Sequence, residues 1–157
     1  MIELTHASFQ YENSDRGVQD ISLLVKSGEC VVLTGLSGCG KTTVTRLVNR
    51  LAPSYYPGVF SGSVRIDGKD ISRLSTWEIG RLVGSVFQDP KSQFFSDRRI
   101  LILDEPTSGL DGQNMRLIAE RLKSEARNGR TILVITHDRE LIESCCDNIV
   151  EVEKRSL

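Results

Sequence analysis

The chain has 157 residues, enough for one domain that buries about two-thirds of its unfolded surface and too few for two. Its 20 Lys and Arg against 21 Asp and Glu leave a formal net charge of -1, and mixed-sign runs such as Lys123-Ser124-Glu125-Ala126-Arg127 give no basic field of the kind that binds nucleic acid. No window approaches the ~18 uninterrupted apolar residues of a membrane span, and Met1-Ile2-Glu3-Leu4-Thr5-His6 is no basic leader, so a soluble, non-exported chain is expected.

In chain order, Ile2 to Phe9 and Ile21 to Lys26 read as strands joined by the polar loop Glu12-Asn13-Ser14-Asp15-Arg16-Gly17, a hairpin or an antiparallel edge. Cys30 to Thr34 is a short buried strand. Lys41 to Leu51 has helical spacing through Val44, Leu47, Val48 and Leu51, with Pro53 as its stop. Val64-Arg65-Ile66 leads into an Asp67-Gly68 turn, Ser75 caps a short helix over Thr76 to Arg81, and Leu82 to Phe87 is an apolar strand. Ile100 to Leu103 is a fully apolar strand, Gly112 to Arg127 an amphipathic helix, Thr131 to Ile135 a strand, and Asp138 caps a helix through Ser144. Asp147 to Glu151 adds a last strand before a solvated tail. Strands alternating with helices predict an α/β fold, a mostly parallel sheet flanked by helices with an antiparallel β edge.

The residues that carry chemistry gather after strands. Gly35-Leu36-Ser37-Gly38-Cys39-Gly40-Lys41-Thr42 matches G-x-x-x-x-G-K-[ST] in full, between a predicted strand and a predicted helix. Glycines let such a loop turn its backbone N–H groups toward phosphate oxygens, and the helix offers its positive end to the same anion. Lys41 adds a cation for the β- and γ-phosphates, Thr42 a hydroxyl for Mg²⁺, and Thr43 follows within the same binding run. Asp104 ends a buried strand, where it can hold Mg²⁺ directly or through water, and Glu105 can accept a proton from, or orient, an attacking water.

His137 follows the strand Thr131 to Ile135 and can hydrogen-bond γ-phosphate or the attacking water, although a lone histidine is more often a capping or packing residue. Gln88 offers an amide to Mg²⁺, nucleotide or water. Tyr11 offers a face for stacking on adenine, against the ordinary reading of an aromatic that closes a strand as core. Cys30, Cys39, Cys145 and Cys146 lack paired CxxC spacing, which predicts reduced, unpaired thiols of a cytosolic protein.

Taken together, Tyr11, the loop Gly35 to Thr42, Val86-Phe87-Gln88-Asp89-Pro90, Ile100 to Glu105, Ser108-Gly109-Leu110-Asp111 and Thr136-His137-Asp138 resemble the ATPase subunits of ABC transporters in order and wording. The resemblance runs from Ile2 to about Val150 and implies a P-loop NTPase fold that binds ATP and Mg²⁺. It implies Tyr11 as adenine stacker, Gln88 as the Q-loop glutamine, Asp104 and Glu105 as the Walker B metal residue and general base, Asp111 in the D-loop, and His137 as the switch histidine. Thr42, Gln88 and Asp104 become the metal residues. Ser75-Thr76-Trp77-Glu78-Ile79-Gly80 and Phe87-Gln88-Asp89-Pro90-Lys91-Ser92-Gln93-Phe94-Phe95 look most like the energy-coupling-factor importers of vitamins and metal ions. Implied partners are a second ATPase subunit, in a homo- or heterodimer, and integral membrane transport subunits, with this chain peripheral on the cytoplasmic face.

One departure is large. Family members carry a helical subdomain after the Q-loop and then an LSGGQ-like signature, whereas here Ser96-Asp97-Arg98-Arg99 runs directly into the Walker B strand and no LSGGQ-like string occurs. The chain reads as a single truncated nucleotide-binding domain, residues 1–157, with a deletion junction at about 95–99. In this family the signature reaches the ATP held by the partner subunit, so the expectation is ATP binding with weak or absent turnover. The alternative is a non-hydrolysing nucleotide-binding module, the remnant of a shortened gene.

Overall fold

A computed structural model of the chain describes residues 1–87 and 98–153. Its first elements are β1 (Ile2–Tyr11), β2 (Gly17–Val25), β3 (Cys30–Thr34), α1 (Lys41–Val48), α2 (Leu51–Ser54), β4 (Gly58–Ile66) and β5 (Lys69–Asp70). After a 3-10 turn at Ile71–Arg73 come α3 (Thr76–Leu82), β6 (Val83–Phe87), β7 (Ile100–Asp104), α4 (Gly112–Arg127), β8 (Thr131–Ile135), α5 (Arg139–Cys145) and β9 (Asn148–Glu151). The chain divides into two compact units, one from Met1–Leu24, Gly35–Arg81 and Glu151 onward, the other from Val25–Thr34 and Leu82–Val150.

The first unit is built on a sheet of order β2-β1-β4-β5, with β4 antiparallel to both β1 and β5. In β1 the buried residues are Ile2 and Leu4, then Ala7 and Phe9. A period of two would turn Ala7 and Phe9 outward. The β1–β4 register shifts between Thr5 and Ser8, and His6 sits there at φ 47, so a bulge resets the alternation and keeps one apolar face on the core. Helix α1 buries Val44, Leu47 and Val48 on one face, as its spacing predicts.

The second unit is built on a sheet of order β6-β7-β8-β3-β9, in which β6–β7, β7–β8 and β8–β3 are parallel. Apart from Thr131 and Asp104 at their ends, β7 and β8 are apolar, as two-sided burial requires. Met115, Ile118, Ala119, Leu122 and Ala126 of α4 join Leu141 and Cys145 of α5 over Val32, Leu101, Leu103, Ile132 and Val134. Glu125 is the exception on that face: 4 % exposed, it is held by Arg121 at 2.8 Å and Arg130 at 3.1 Å, the pairing that a buried carboxylate needs.

The expected α/β class, with a parallel sheet, flanking helices and an antiparallel sheet, is the observed one. Three boundaries differ by three or more residues. The strand expected from Ile21 begins at Gly17, inside the stretch read as a loop. The helix expected over Lys41 to Leu51 ends at Val48, because Arg50 takes a left-handed conformation at φ 57, and Pro53 lies inside the separate turn α2. The strand read at Val64-Arg65-Ile66 begins earlier, at Gly58, because pairing with β1 extends it through a polar stretch. Among the described residues no helix is long and apolar enough to cross a membrane.

Candidate functional site

In the first unit, the loop Gly35 to Thr42 fills the step between β3 and α1, and its shape depends on glycine. Gly35, Gly38 and Gly40 take φ values of +133, +78 and +108, a region that side chains disfavour. At Gly40 the constraint is also steric, since a Cβ would collide with Val18 Cγ1 and the Gly17 carbonyl. Lys41, 8 % exposed, turns its ammonium into the loop and donates to the carbonyl oxygens of Gly35 at 2.8 Å and Leu36 at 3.1 Å. The Cys39 N–H closes the turn onto Leu36 O at 3.2 Å. A loop bent by three glycines at a helix N-terminus, with a lysine ammonium within it, fits an anion of phosphate type. Leu36 and Ser37 face solvent, and Thr42 is half-buried at the first turn of α1.

Tyr11 ends β1 beside that helix. Its ring meets Phe9 edge-on at 4.9 Å and Tyr56 edge-on at 6.2 Å. Its hydroxyl accepts from Arg46 Nη1 at 3.0 Å and shares a hydrogen bond with Thr43 Oγ1 at 3.1 Å. Thr43 and Arg46 stand three residues apart on α1 and so share a face. The Arg46 guanidinium lies 3.9 Å over the Tyr56 ring, within cation–π range. Tyr11 also lines a cleft of about 770 Å³ with Gln10, Glu12, Pro53, Pro57 and Val59. Arg46 and Tyr56 went unread in the sequence; the helical spacing of Thr43 and Arg46 was the available signal.

In the second unit, parallel strands bring their C-terminal ends to one edge. Asp104 ends β7 in register with Phe87 of β6 and Ile135 of β8. Glu105 follows at φ 47, a left-handed conformation costly for glutamate and held by its N–H donating to Ile135 O at 2.8 Å. Its Oε2 accepts from Thr136 Oγ1 at 3.2 Å, and its Oε1 lies 3.8 Å from His137 Nε2. Thr136 is fully buried and its Oγ1 also accepts from the Asp138 N–H at 3.1 Å. One hydroxyl therefore ties the Glu105 carboxylate to the turn that carries His137.

Glu105 and His137 are thus brought together as a pair, and Thr136 is a positioning residue that sequence reading named only within a motif. Asp138 accepts from Leu141 N and caps α5 as expected, while Asp111 accepts from Asn114 N at 2.8 Å and caps α4. Gln88 and most of the junction at 95–99 lie outside the described residues.

Comparison with known proteins bears on both units. A family model described as ABC transporter matches residues 18–96, and an AAA-domain model matches residues 79–143. A Treponema denticola protein carrying the name ABC transporter ATP-binding protein is 30 % identical over 219 residues, covering 100 % of this chain and 45 % of that protein. The HMP/thiamine import ATP-binding protein YkoD of Bacillus subtilis is 35 % identical over 142 residues, covering 89 % of this chain and 25 % of its own length. The chain spans less than half the length of these relatives. A solved ATP-binding subunit of an ABC transporter superposes with a TM-score of 0.79 at 18 % identity, covering 98 % of this chain and 86 % of that one. A bacterial Atm1-family ABC exporter with ATP bound gives 0.81 at 21 %, covering 98 % and 37 %. At such identities these two likenesses speak to the fold.

Proposed function

The chain belongs to the ABC transporter ATP-binding family, and from that premise we propose that it binds ATP with Mg²⁺ as a subunit of an importer of the energy-coupling-factor kind, and that an internal loss at about 95–99 leaves its own turnover weak or absent. The observation that carries the binding half is the glycine-shaped loop Gly35 to Thr42 with the Lys41 ammonium inside it. The importer assignment draws on the likeness to a thiamine-import protein and on the motif wording around Trp77 and Gln88. The loss is supported by the Treponema match, which runs over 219 residues against the 157 of this chain, and by the ABC transporter model, whose match stops at residue 96.

Each residue's assignment follows its chemistry. The backbone N–H groups from Gly35 to Gly40 and the Lys41 ammonium grip phosphate oxygens, Thr42 and Thr43 follow at the helix start, and Tyr11 offers its ring to adenine. Thr42, Asp104 and Gln88 would hold Mg²⁺, which when bound neutralises phosphate charge. Glu105 orients a water or takes its proton, and Thr136 fixes that carboxylate's direction. His137, 60 % exposed beside Glu105, is free to turn toward a phosphate or a water.

Hydrolysis in this reading needs a charge-stabilising loop that the chain does not contain, so a homodimer lacks part of the preorganised stabilisation of the transition state. A second ATPase subunit with an intact signature restores one competent site. Membrane transport subunits and a position at the cytoplasmic face of the membrane complete the reading. The second reading, a nucleotide-binding module without turnover, is favoured by the missing signature. ATP binding and phosphate release, measured with and without a full-length homologous subunit, decide between them. Release stimulated by the partner supports the transporter subunit, and binding that stays silent in both supports the module.

A further inference from the structure

Three of the four cysteines, Cys30 and the distant adjacent pair Cys145-Cys146, meet in the second unit. Cys30 opens β3, Cys145 ends α5 and Cys146 caps that helix, and their Sγ atoms all lie within 4.8 Å of one another. The Cys145 and Cys146 sulfurs are 3.7 Å apart. Cys30 and Cys145 are buried in the core beside Leu122, Ala126 and Leu141, whereas Cys146 is partly exposed. The cluster sits at the start of β3, and the phosphate loop follows that strand's other end.

The backbone holds this arrangement without help from sulfur. Cys30 N donates to Asp147 Oδ2 at 2.8 Å, and Asp147 N donates to Cys30 O at 2.8 Å. These two bonds clamp the turn carrying Cys145 and Cys146 onto the strand carrying Cys30. Packing alone gives no reason for three thiols here, since a thiol is a weak hydrogen-bonding group and small apolar residues would fill the same space. A tetrahedral Zn²⁺ with Zn–S bonds of ~2.3 Å sets its sulfurs about 3.8 Å apart, close to the spacing that Cys145 and Cys146 already have.

We infer that Cys30, Cys145 and Cys146 form a three-sulfur site for a single thiophilic cation of the Zn²⁺ class, its fourth position open to solvent beside Cys146. Soft thiolates select such ions over Mg²⁺, and two buried sulfurs with one at the surface leave an entry path. Binding exchanges S–H bonds for S–metal bonds and releases up to three protons. Of the adjacent pair, Cys145 is the buried member. Its contact with the Leu141 carbonyl oxygen at 3.2 Å is the one surrendered. Asp147 acts as the outer support that fixes the first ligand.

The test titrates the reduced full chain with Zn²⁺ alone, and with Cd²⁺ to read the thiolate charge-transfer band, while released protons are counted. One ion per chain is expected, with two to three protons released. Cys146→Ser, at a partly exposed position, weakens binding about tenfold or more with an unchanged circular dichroism spectrum. Cys30→Ser abolishes the band, Asp147→Ala, which removes the acceptor of the Cys30 N–H, weakens binding about tenfold, and Cys39→Ser leaves the band intact. Failure to saturate at one ion, or binding that survives Cys146→Ser undiminished, would overturn the inference whatever the core variant Cys30→Ser does to folding.

Discussion

In the first unit the candidate anion site is made chiefly of backbone: three glycines at positive φ, with no room for a Cβ at Gly40, around one lysine whose ammonium is held by the loop's own carbonyls. In the second unit the chemistry is made of side chains brought together across strands, with Glu105 and Thr136 thirty-one residues apart and joined by one hydroxyl. A backbone cradle needs only a short stretch of sequence, so it survives loss elsewhere. A side-chain constellation depends on sheet register, and its output depends further on groups supplied from outside. In the proposed reading, binding and turnover are therefore separable.

The sharpest way to break that comparison is Glu105→Gln. It should leave the ATP dissociation constant within about threefold and cut partner-stimulated phosphate release by about 10²- to 10⁴-fold, the usual range for losing a general base. A matching loss of binding, read by calorimetry, would show that the two functions are not separate. Lys41→Ala should do the reverse, weakening ATP binding about tenfold to a hundredfold through loss of a charge-assisted contact of ~1.5–3 kcal/mol while the thermal transition persists. Unchanged affinity in that variant would remove Lys41 from the cradle.

Thr136→Val tests the positioning claim with a smaller effect. The partner-stimulated rate should fall about fivefold with ATP affinity unchanged, and Thr136→Ser should restore it, because a hydroxyl bond contributes ~1 kcal/mol. Equal rates in the valine and serine variants would assign Thr136 to packing alone.

The smallest effect belongs to a local device that touches neither feature. Ser75 and Glu78 form a capping box at α3, with the Ser75 N–H and Oγ both 2.7 Å from Glu78 Oε2. The Ser75 backbone N–H first, and its hydroxyl second, hold the Glu78 carboxyl below its ordinary 4.5. A carboxylate depressed on folding contributes fully above that ordinary value and loses its contribution as pH falls through the lowered one. Protection of the α3 amides, taken relative to their intrinsic exchange rates, should therefore fall below about pH 4.5, and Glu78→Gln should erase that dependence while ATP binding stays as it was.

What the sequence made legible follows the same division. Strands β3 and β8 and helix α4 fall where apolar runs and helical spacing put them, because those signals are local. The phosphate loop was legible for the same reason. The early start of β4, the bulge at His6 and the end of α1 at Val48 depend on partner strands or on a single left-handed residue, which no periodicity encodes. Arg46 with Tyr56, Thr136 under Glu105, and the three clustered cysteines depend on contacts between residues far apart in sequence or on separate elements, so composition and spacing could not assemble them.

The most direct test measures ATP binding and phosphate release side by side on the purified chain in Mg²⁺. Saturable binding with release at the uncatalysed background is the predicted result. Phosphate release at the pace of a full-length ABC subunit, abolished by Glu105→Gln, would contradict it.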